Sequence, residues 1–435
     1  MQWLSDRGPV PQHVGALLLF DHPCALSAED VRAGVRDRLA AVPALRRRPV
    51  RPPRGCGGWL WLDDPGDPDE QVHVERVDPG HERVEQVAAA LVMRRLPAAR
   101  PPWAAYVLAD GGGRPVGVVA CVHHVLTDGV LGMALLAALL DGARQRERHD
   151  EHPGPRPSAT SAGALPPRRV LLADAWSRRW AALRRLPSVS GELRAAWAEM
   201  GRGTTPKALP SSLNRPTGRR RDVAVIDVDL ATVRSAAHAA GASVNDALLV
   251  AVGATLGALQ EGRGEHLDPV VASVPVAARQ EASGRGGAEL GNAVGAVPFA
   301  IPTAGPVSQR LAAVTHARTE RLSGRHGASM PLVLAAFRVL AAVHLVQRYA
   351  THQHLVNTLV TNVRGPDEAV ALFGTRVGRI VPFVVNQGNV TVAFAAASYA
   401  GRMTVAVTTD PEAGLAADLV ADRLGVELAE LSPLT

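Results

Sequence analysis

The run CVHHVLTDGV at 121–130 concentrates the residue types that could do chemistry. His123 and His124 close a β-type run, three residues intervene, and Asp128 and Gly129 open an apolar helix. Imidazole, with an ordinary pKa of about 6.5, is the side chain best matched to taking and returning a proton near neutral pH. A base of this kind suits transfer of an acyl group to an alcohol, where a positioned base contributes roughly 10²–10⁴-fold to rate. The rest must come from holding the two reactants together and from donors facing the developing oxyanion. Neighbouring side chains on a strand point to opposite faces, so only one of the two histidines can face a given cleft. The turn can bring Asp128 back toward the strand end, and Gly129 permits a tight turn that a Cβ would obstruct. Two other readings compete. In one, Asp128 caps a helix and the histidines are incidental; in the other they bind a metal, although no Cys/His/Glu cluster nearby in the sequence offers further ligands.

Other chemistry-bearing residues have plainer readings. Cys121 sits inside an apolar strand, where a cysteine is expected to pack rather than to act as a nucleophile. Ser243 and Asp246 form an N-terminal capping pair for the helix that begins there. The runs Arg46–Arg48 and Arg219–Arg221 read as solvated faces, with phosphate contact as the alternative.

The elements that must position these residues alternate. Short apolar runs predict strands at 14–20, 59–62, 72–77, 103–109 and 115–122. Helices are expected at 27–41, behind a Ser27/Asp30 capping pattern, near 80–95 and at 130–141. From about 143 to 221 the character changes, beginning with a polar stretch rich in Pro, Ser and Gly that reads as a linker. Within it, the helix at 170–185 places Leu172, Trp176, Trp180 and Leu183 on one face, flanked by Arg178, Arg179, Arg184 and Arg185. Such a face suits shallow insertion at a membrane or lipid-droplet surface. The competing expectation, which we favour from sequence, is an interdomain helix laying its Trp face on protein. A further helical piece is expected at 191–200. The second half then resumes the alternation: strands at 222–230, 270–276, 294–301, 355–361, 376–384, 390–398 and 402–408, with helices near 231–240, 245–259, 307–322, 330–349 and after Pro411. Alternation of this kind predicts sheets layered with helices.

Composition bounds the rest. At 435 residues, 47% hydrophobic and 20% charged, the chain has apolar material for two cores. Its domains are expected at 1–145, carrying the histidine pair, and at 213–435, joined by the 146–212 linker. Three cysteines without a CxxC pair argue against a disulfide framework and for a cytoplasmic location. The start lacks the pattern of a signal peptide, and no apolar run of about 18 residues predicts a membrane span. The net charge is +6, supplied almost wholly by arginine, since Lys207 is the only lysine. That excess suits a phosphate-rich ligand such as coenzyme A or an anionic membrane surface. Nucleic acid is not expected, because aromatics are only 4% and no reading motif occurs.

HHVLTDG resembles the HHxxxDG signature of the bacterial wax ester synthase/diacylglycerol acyltransferase family, within the chloramphenicol-acetyltransferase-like superfamily. The likeness continues in order through PQHVGALLLFD (11–21), RPPW (100–103), SLNRPTGRRR (212–221), SVNDALLVAVGATLGAL (243–259), VPVAARQ (274–280), TNVRGP (361–366) and NVTVAFAAASYAGRMTVAVTTD (389–410). The resemblance implies an α/β fold of two pseudo-symmetric domains, with a tunnel at their interface. It implies His124 as the base, with His123, Asp128 and Gly129 supporting its geometry. Asn245 and Asp246, matching the family's ND motif, and Asn362 are implied on the substrate side. No metal or bound cofactor is implied; acyl-CoA or an acyl carrier is the donor and a hydroxyl compound the acceptor. Ala98 and Ala99, where the family usually carries polar residues including an Asp, and Arg364, where proline is frequent, are departures that bear on substrate size.

Three functions fit this reading. The first is O-acyl transfer from acyl-CoA to a long-chain alcohol or diacylglycerol. The second is a tailoring acyltransferase of specialised metabolism using a carrier-bound or unusual donor. The third is a non-catalytic lipid-binding protein, against which the intact HHxxxDG argues.

Overall fold

The computed structural model describes residues 10–64, 66–78, 83–126, 129–142, 165–181, 184, 206–277, 294–323, 345–386 and 388–431. The expected helix at 191–200 and most of that at 330–349 lie outside them. The first half runs β1 (His13–Phe20), α1 (Ala28–Ala40), β2 (Arg47–Val50), β3 (Leu60–Asp63), β4 (Val72–Arg76), α2 (Val84–Val92), β5 (Trp103–Ala109), β6 (Pro115–His123) and α3 (Gly129–Leu139). A helix at 168–181 follows. The second half runs β7 (Asp222–Asp229), α4 (Leu230–Ala239), α5 (Val244–Glu261), β8 (Val270–Ala277), β9 (Val294–Ile301), α6 (Val307–Ser323) and α7 (Val346–Ala350). It closes with β10 (Thr358–Arg364), β11 (Ala371–Leu372), β12 (Thr375–Val384), β13 (Val392–Tyr399), β14 (Arg402–Thr409) and α8 (Ala417–Ala429).

These strands build two six-stranded mixed sheets, ordered β11-β12-β1-β6-β5-β4 and β7-β14-β13-β10-β8-β9, plus the small β2–β3 pair. The β2–β3 pair gives the arginine run a role beyond solvation: Arg48 bonds Asp64 at 2.7 Å and Arg46 meets Asp63 at 3.5 Å. In α1, Val31, Val35 and Leu39 recur at helical spacing and are buried, and Ser27 caps the helix by accepting the Asp30 amide at 3.1 Å. Both faces of the first sheet are covered. Val118, Val122 and Ala105 pack toward α1 and α3, while Val119, Cys121 and Tyr106 pack toward α2. The second sheet carries its own core, built against α5 and α8.

Sequence order puts β12 in the second half, yet it pairs antiparallel with β1 from Val14↔Val384 to Phe20↔Val377. Two hairpin turns make this exchange local. Phe373 and Gly374 (φ 53° and 73°) join β11 to β12, and Ala400 and Gly401 (φ 46° and 81°) join β13 to β14. Left-handed backbone at both central positions gives the twist that adjacent strands need. Phe373 and Ala400 carry a Cβ there, a cost of about 1–2 kcal/mol each. At the first turn, Asp141 accepts the amides of Phe373 (3.1 Å) and Gly374 (2.8 Å), and the Arg38 guanidinium lies 4.1 Å from the Phe373 ring centroid.

Side chains join the halves elsewhere too. Gln86 donates to the Arg221 carbonyl at 2.8 Å, and Arg379 reaches both Glu85 and Asp227; within the second half, Tyr399 donates its hydroxyl to the Val377 carbonyl of β12 at 2.7 Å, tying the two sheets.

Among the described residues no single helix is long and apolar enough to cross a membrane. The helix at 168–181 corrects our sequence expectation. It buries Leu171 and Ala175 against the Cys56 loop, where a Cβ on Gly57 would lie 3.6 Å from that of Ala175. Trp176 and Trp180 are left 56% and 58% exposed. The helix is anchored by Leu171 and Ala175, one position away from the tryptophan stripe, so among the described residues the Trp face is not the one that packs.

Candidate active site

The strand β6 delivers the two histidines to different surroundings. Its odd-numbered residues Val119 and Cys121 face α2, and His123 continues that face into full burial. The His123 amide donates to the Pro102 carbonyl at 2.9 Å, and its own carbonyl accepts from Leu126 at 2.9 Å. The Val125 amide donates to His123 Nδ1 at 3.0 Å, which fixes that nitrogen as an acceptor. Across the ladder His123 pairs with His13, whose ring stands edge-on at 5.7 Å between centroids. His13 is itself bonded through Nδ1 to the Val92 carbonyl at 2.9 Å. His123 is therefore enclosed, with its backbone and Nδ1 bonded and its ring against His13.

His124 is the first residue beyond the strand. Its amide donates to the Gln12 carbonyl at 2.8 Å, and its side chain is half-buried. Of the adjacent pair, His124 alone combines a fixed backbone with a side chain short of full burial. Gly129 begins α3, whose Leu135 and Leu139 anchor it on the first core. Asp128 lies outside the described residues. Cys121 is buried, and burial pushes its thiol up to about 12, so it stays protonated and inert near neutral pH.

The remaining expected residues sit on the second sheet and its helices. Asp246 is fully buried at the start of α5. Its Oδ2 accepts from the Ser243 amide (2.9 Å) and hydroxyl (2.8 Å), while the Asp246 amide donates back to Ser243 Oγ at 3.2 Å. Arg318 of α6 donates Nε to both carboxylate oxygens at 3.0 Å. The capping pair read from sequence is thus present, and sequence reasoning missed its cationic partner, which lies 72 residues away. Asn245, beside it, is half-buried. Asn362 is half-buried in the middle of β10, opposite Ala396 of β13. His13 was also missed as a member of the site; it lies inside a quoted segment, but only the β1–β6 register reveals its contact with His123.

Among the described residues no group of three His, Cys, Asp or Glu is placed to hold a metal ion. A cleft of about 380 Å³ opens at the β4–β5 edge between His73, Arg94, Arg100 and Tyr106. Two of its arginines are neutralised inside it, Arg94 by Glu75 and Arg100 by Glu70. It offers little net charge to an anion.

Residues 1–248 match the family described as wax ester synthase/diacylglycerol acyltransferase catalytic domain, and residues 290–432 match the corresponding C-terminal domain. A putative diacylglycerol O-acyltransferase of Mycobacterium bovis is 27% identical over 388 residues, covering 84% of this chain and 76% of its own. A probable diacylglycerol O-acyltransferase of Mycobacterium tuberculosis is 26% identical over 416 residues, covering 91% and 86%. In fold, the chain is similar to the wax ester synthase/diacylglycerol acyltransferase from Marinobacter aquaeolei, at a TM-score of 0.67 and 21% identity, covering 99% of this chain and 97% of that one. It is also similar to the first condensation domain of the calcium-dependent antibiotic synthetase, at a TM-score of 0.59 and 18% identity, covering 100% and 94%.

Proposed function

The chain belongs to the wax ester synthase/diacylglycerol acyltransferase family, and from that membership we propose that it moves an acyl group from acyl-CoA to the hydroxyl of a diacylglycerol or long-chain alcohol, with His124 as general base. The observation that carries this reading is the contrast within one dipeptide: His123 is fully buried, whereas His124 is half-buried on a backbone tied to Gln12.

The chemistry balances on that one imidazole. A neutral ring nitrogen of His124 takes the acceptor's hydroxyl proton as the oxygen attacks the thioester carbonyl. The tetrahedral oxyanion collapses, the C–S bond breaks, and the thiolate of CoA takes the proton back from the imidazolium. An ester and free CoA leave, and the histidine is neutral again. His123 positions the turn and Gly129 begins α3; Asp128 takes the supporting role that the family motif implies. We assign Asn245 and Asn362 to the substrate side, as the family likeness implies, while Asp246 holds its helix end through Ser243 and Arg318. We take the units as 1–145, 146–212 and 213–435, with β11 and β12 as the last unit's contribution to the first sheet.

The reaction is placed on the cytoplasmic side, where acyl-CoA is supplied, with peripheral contact to a membrane or lipid-droplet surface through the helix at 168–181. Supporting that contact, Trp176, Trp180 and Val170 are exposed beside exposed Arg168, Arg169, Arg178 and Arg179, a pairing of indoles and cations suited to an anionic interface. Anionic liposomes are expected to retain the wild type better than a Trp176→Ser/Trp180→Ser variant; equal recovery ends the idea. The activity itself is tested by mass spectrometry of products from acyl-CoA mixed with diacylglycerol or hexadecanol. A new ester accompanied by free CoA is expected; absence of ester with every acceptor refutes the reading.

A further inference from the structure

The ladder that holds His124 extends to a second polar side chain two strands away. Val122 of β6 pairs with Val14 of β1, which pairs with Val384 of β12. Counting two residues further along each chain, just past the strand ends, this register points to His124, Gln12 and Asn386. The bond from the His124 amide to the Gln12 carbonyl carries the β1–β6 side of this row one pair past the strand ends. Side-chain parity persists as well: Val381, Phe383 and Val385 of the β12 segment lie in the core that faces α2, so Asn386 turns to the opposite face. His124 has that same parity on β6.

Asn386 is fully buried, and neither its Oδ1 nor its Nδ2 has a hydrogen-bond partner among the described residues. Its backbone is nevertheless fixed. Arg221 Nη2 donates to its carbonyl at 2.7 Å, and two residues on, the Gly388 carbonyl accepts from the Thr217 amide at 3.0 Å. Gly388 adopts φ 67°, and a Cβ there would lie 2.4 Å from the Ala350 carbonyl oxygen. An immobilised primary amide with both ends unsatisfied inside a protein is costly unless something else completes it.

We propose that Asn386 is a specificity-determining residue that hydrogen-bonds a second oxygen of the acyl acceptor, an ester carbonyl of a glyceride, while His124 takes the proton of its hydroxyl. This rests on the reading of His124 as the base. Two inter-strand spacings separate the backbones of Asn386 and His124 by about 10 Å, so side chains rising from one face meet atoms several ångströms apart. A diacylglycerol places ester oxygens at that range from its free hydroxyl. A simple alkanol offers only methylenes there and would leave the amide unpaired, which is how a site built for hydrogen bonding rejects an analogue that lacks the group.

The test uses the full chain with palmitoyl-CoA as donor and either dioleoylglycerol or hexadecanol as acceptor. Asn386→Leu, close in shape, and Asn386→Ala, smaller, guard against a folding defect in either one. Both are expected to lower kcat/KM for the glyceride about 10–100-fold while changing that for hexadecanol less than about 3-fold. In parallel, dioctanoylglycerol is expected to raise the melting temperature of His124→Ala but not of His124→Ala/Asn386→Leu. An unchanged glyceride-to-alkanol ratio in both variants, or an undiminished thermal shift, overturns the proposal. Failure of the wild type to transfer any acyl group would count against the base reading alone, because the thermal-shift arm needs no turnover and still decides the role of Asn386.

Discussion

At the residue scale, adjacent histidines have divided the work between structure and chemistry. His123 is enclosed, edge-on to His13 and accepting the Val125 amide. Replacing it by alanine leaves a cavity and an unpaired amide, and is expected to cost about 2–4 kcal/mol of stability; a chemical denaturation curve checks this. His124 touches far less of the interior, so its alanine variant is expected to unfold within about 0.5 kcal/mol of wild type. Cys121 sits two positions before the pair and would draw attention as a nucleophile. With its thiol pushed up to about 12 by burial, no useful thiolate exists at pH 7–8. Alkylation with iodoacetamide under native conditions is expected to leave both the mass and the activity unchanged. Rapid loss of activity with one adduct at Cys121 would contradict that.

At the element scale, the α5 N-terminus shows how a motif can serve structure. Asp246 is buried with Arg318 as its charge partner. Arg318→Ala strands that carboxylate and is expected to cost about 2–4 kcal/mol, somewhat tempered because Arg318 is itself partly exposed; Asp246→Asn in the same background is expected to recover part of the loss. Thermal melts of the single and double variants check this, and additive losses would argue against a coupled pair. Much at this scale was legible in sequence. The capping pairs at Ser27 and Ser243, the all-apolar β5 and the strand ending in His123 all follow from local periodicity and side-chain chemistry. What was hidden is non-local. No pattern in TRVGRIVPFV says that β12 joins the first sheet, because the pairing is set by which hydrophobic face remains open once β1 and β6 have met. The helix at 168–181 was misread for a related reason: its most conspicuous apolar residues, the tryptophans, are not the ones that anchor it, and Leu171 and Ala175 found a glycine-lined loop more than a hundred residues earlier.

At the scale of the whole molecule, the two halves are bound by strand exchange and by side chains at its margins. Asp141 is one such margin, joining the end of α3 to the β11–β12 turn. Burial alone would push its carboxyl up, but the Gly374 and Phe373 amides and Arg38 outweigh that and hold it below its ordinary 3.8. A depressed carboxylate stabilises the fold above its unfolded pKa, and that contribution is lost as pH falls through the lower, folded value. Asp141→Asn is therefore expected to cost about 1 kcal/mol at pH 7, after allowing for solvent screening, with the deficit beginning to shrink as pH falls below about 4 and vanishing only below the depressed folded value. Melting temperatures of both proteins between pH 3 and 7 check this; a deficit that grew toward acid would contradict the sign.

Acyl transfer is predicted to depend on a ring nitrogen of His124, and initial rates of CoA release from palmitoyl-CoA with dioleoylglycerol measure that dependence. His124→Ala is predicted to lose about 10²–10⁴-fold in kcat while melting where the wild type melts and still binding glyceride. A His124→Ala protein that releases CoA and forms ester at the wild-type rate would contradict it.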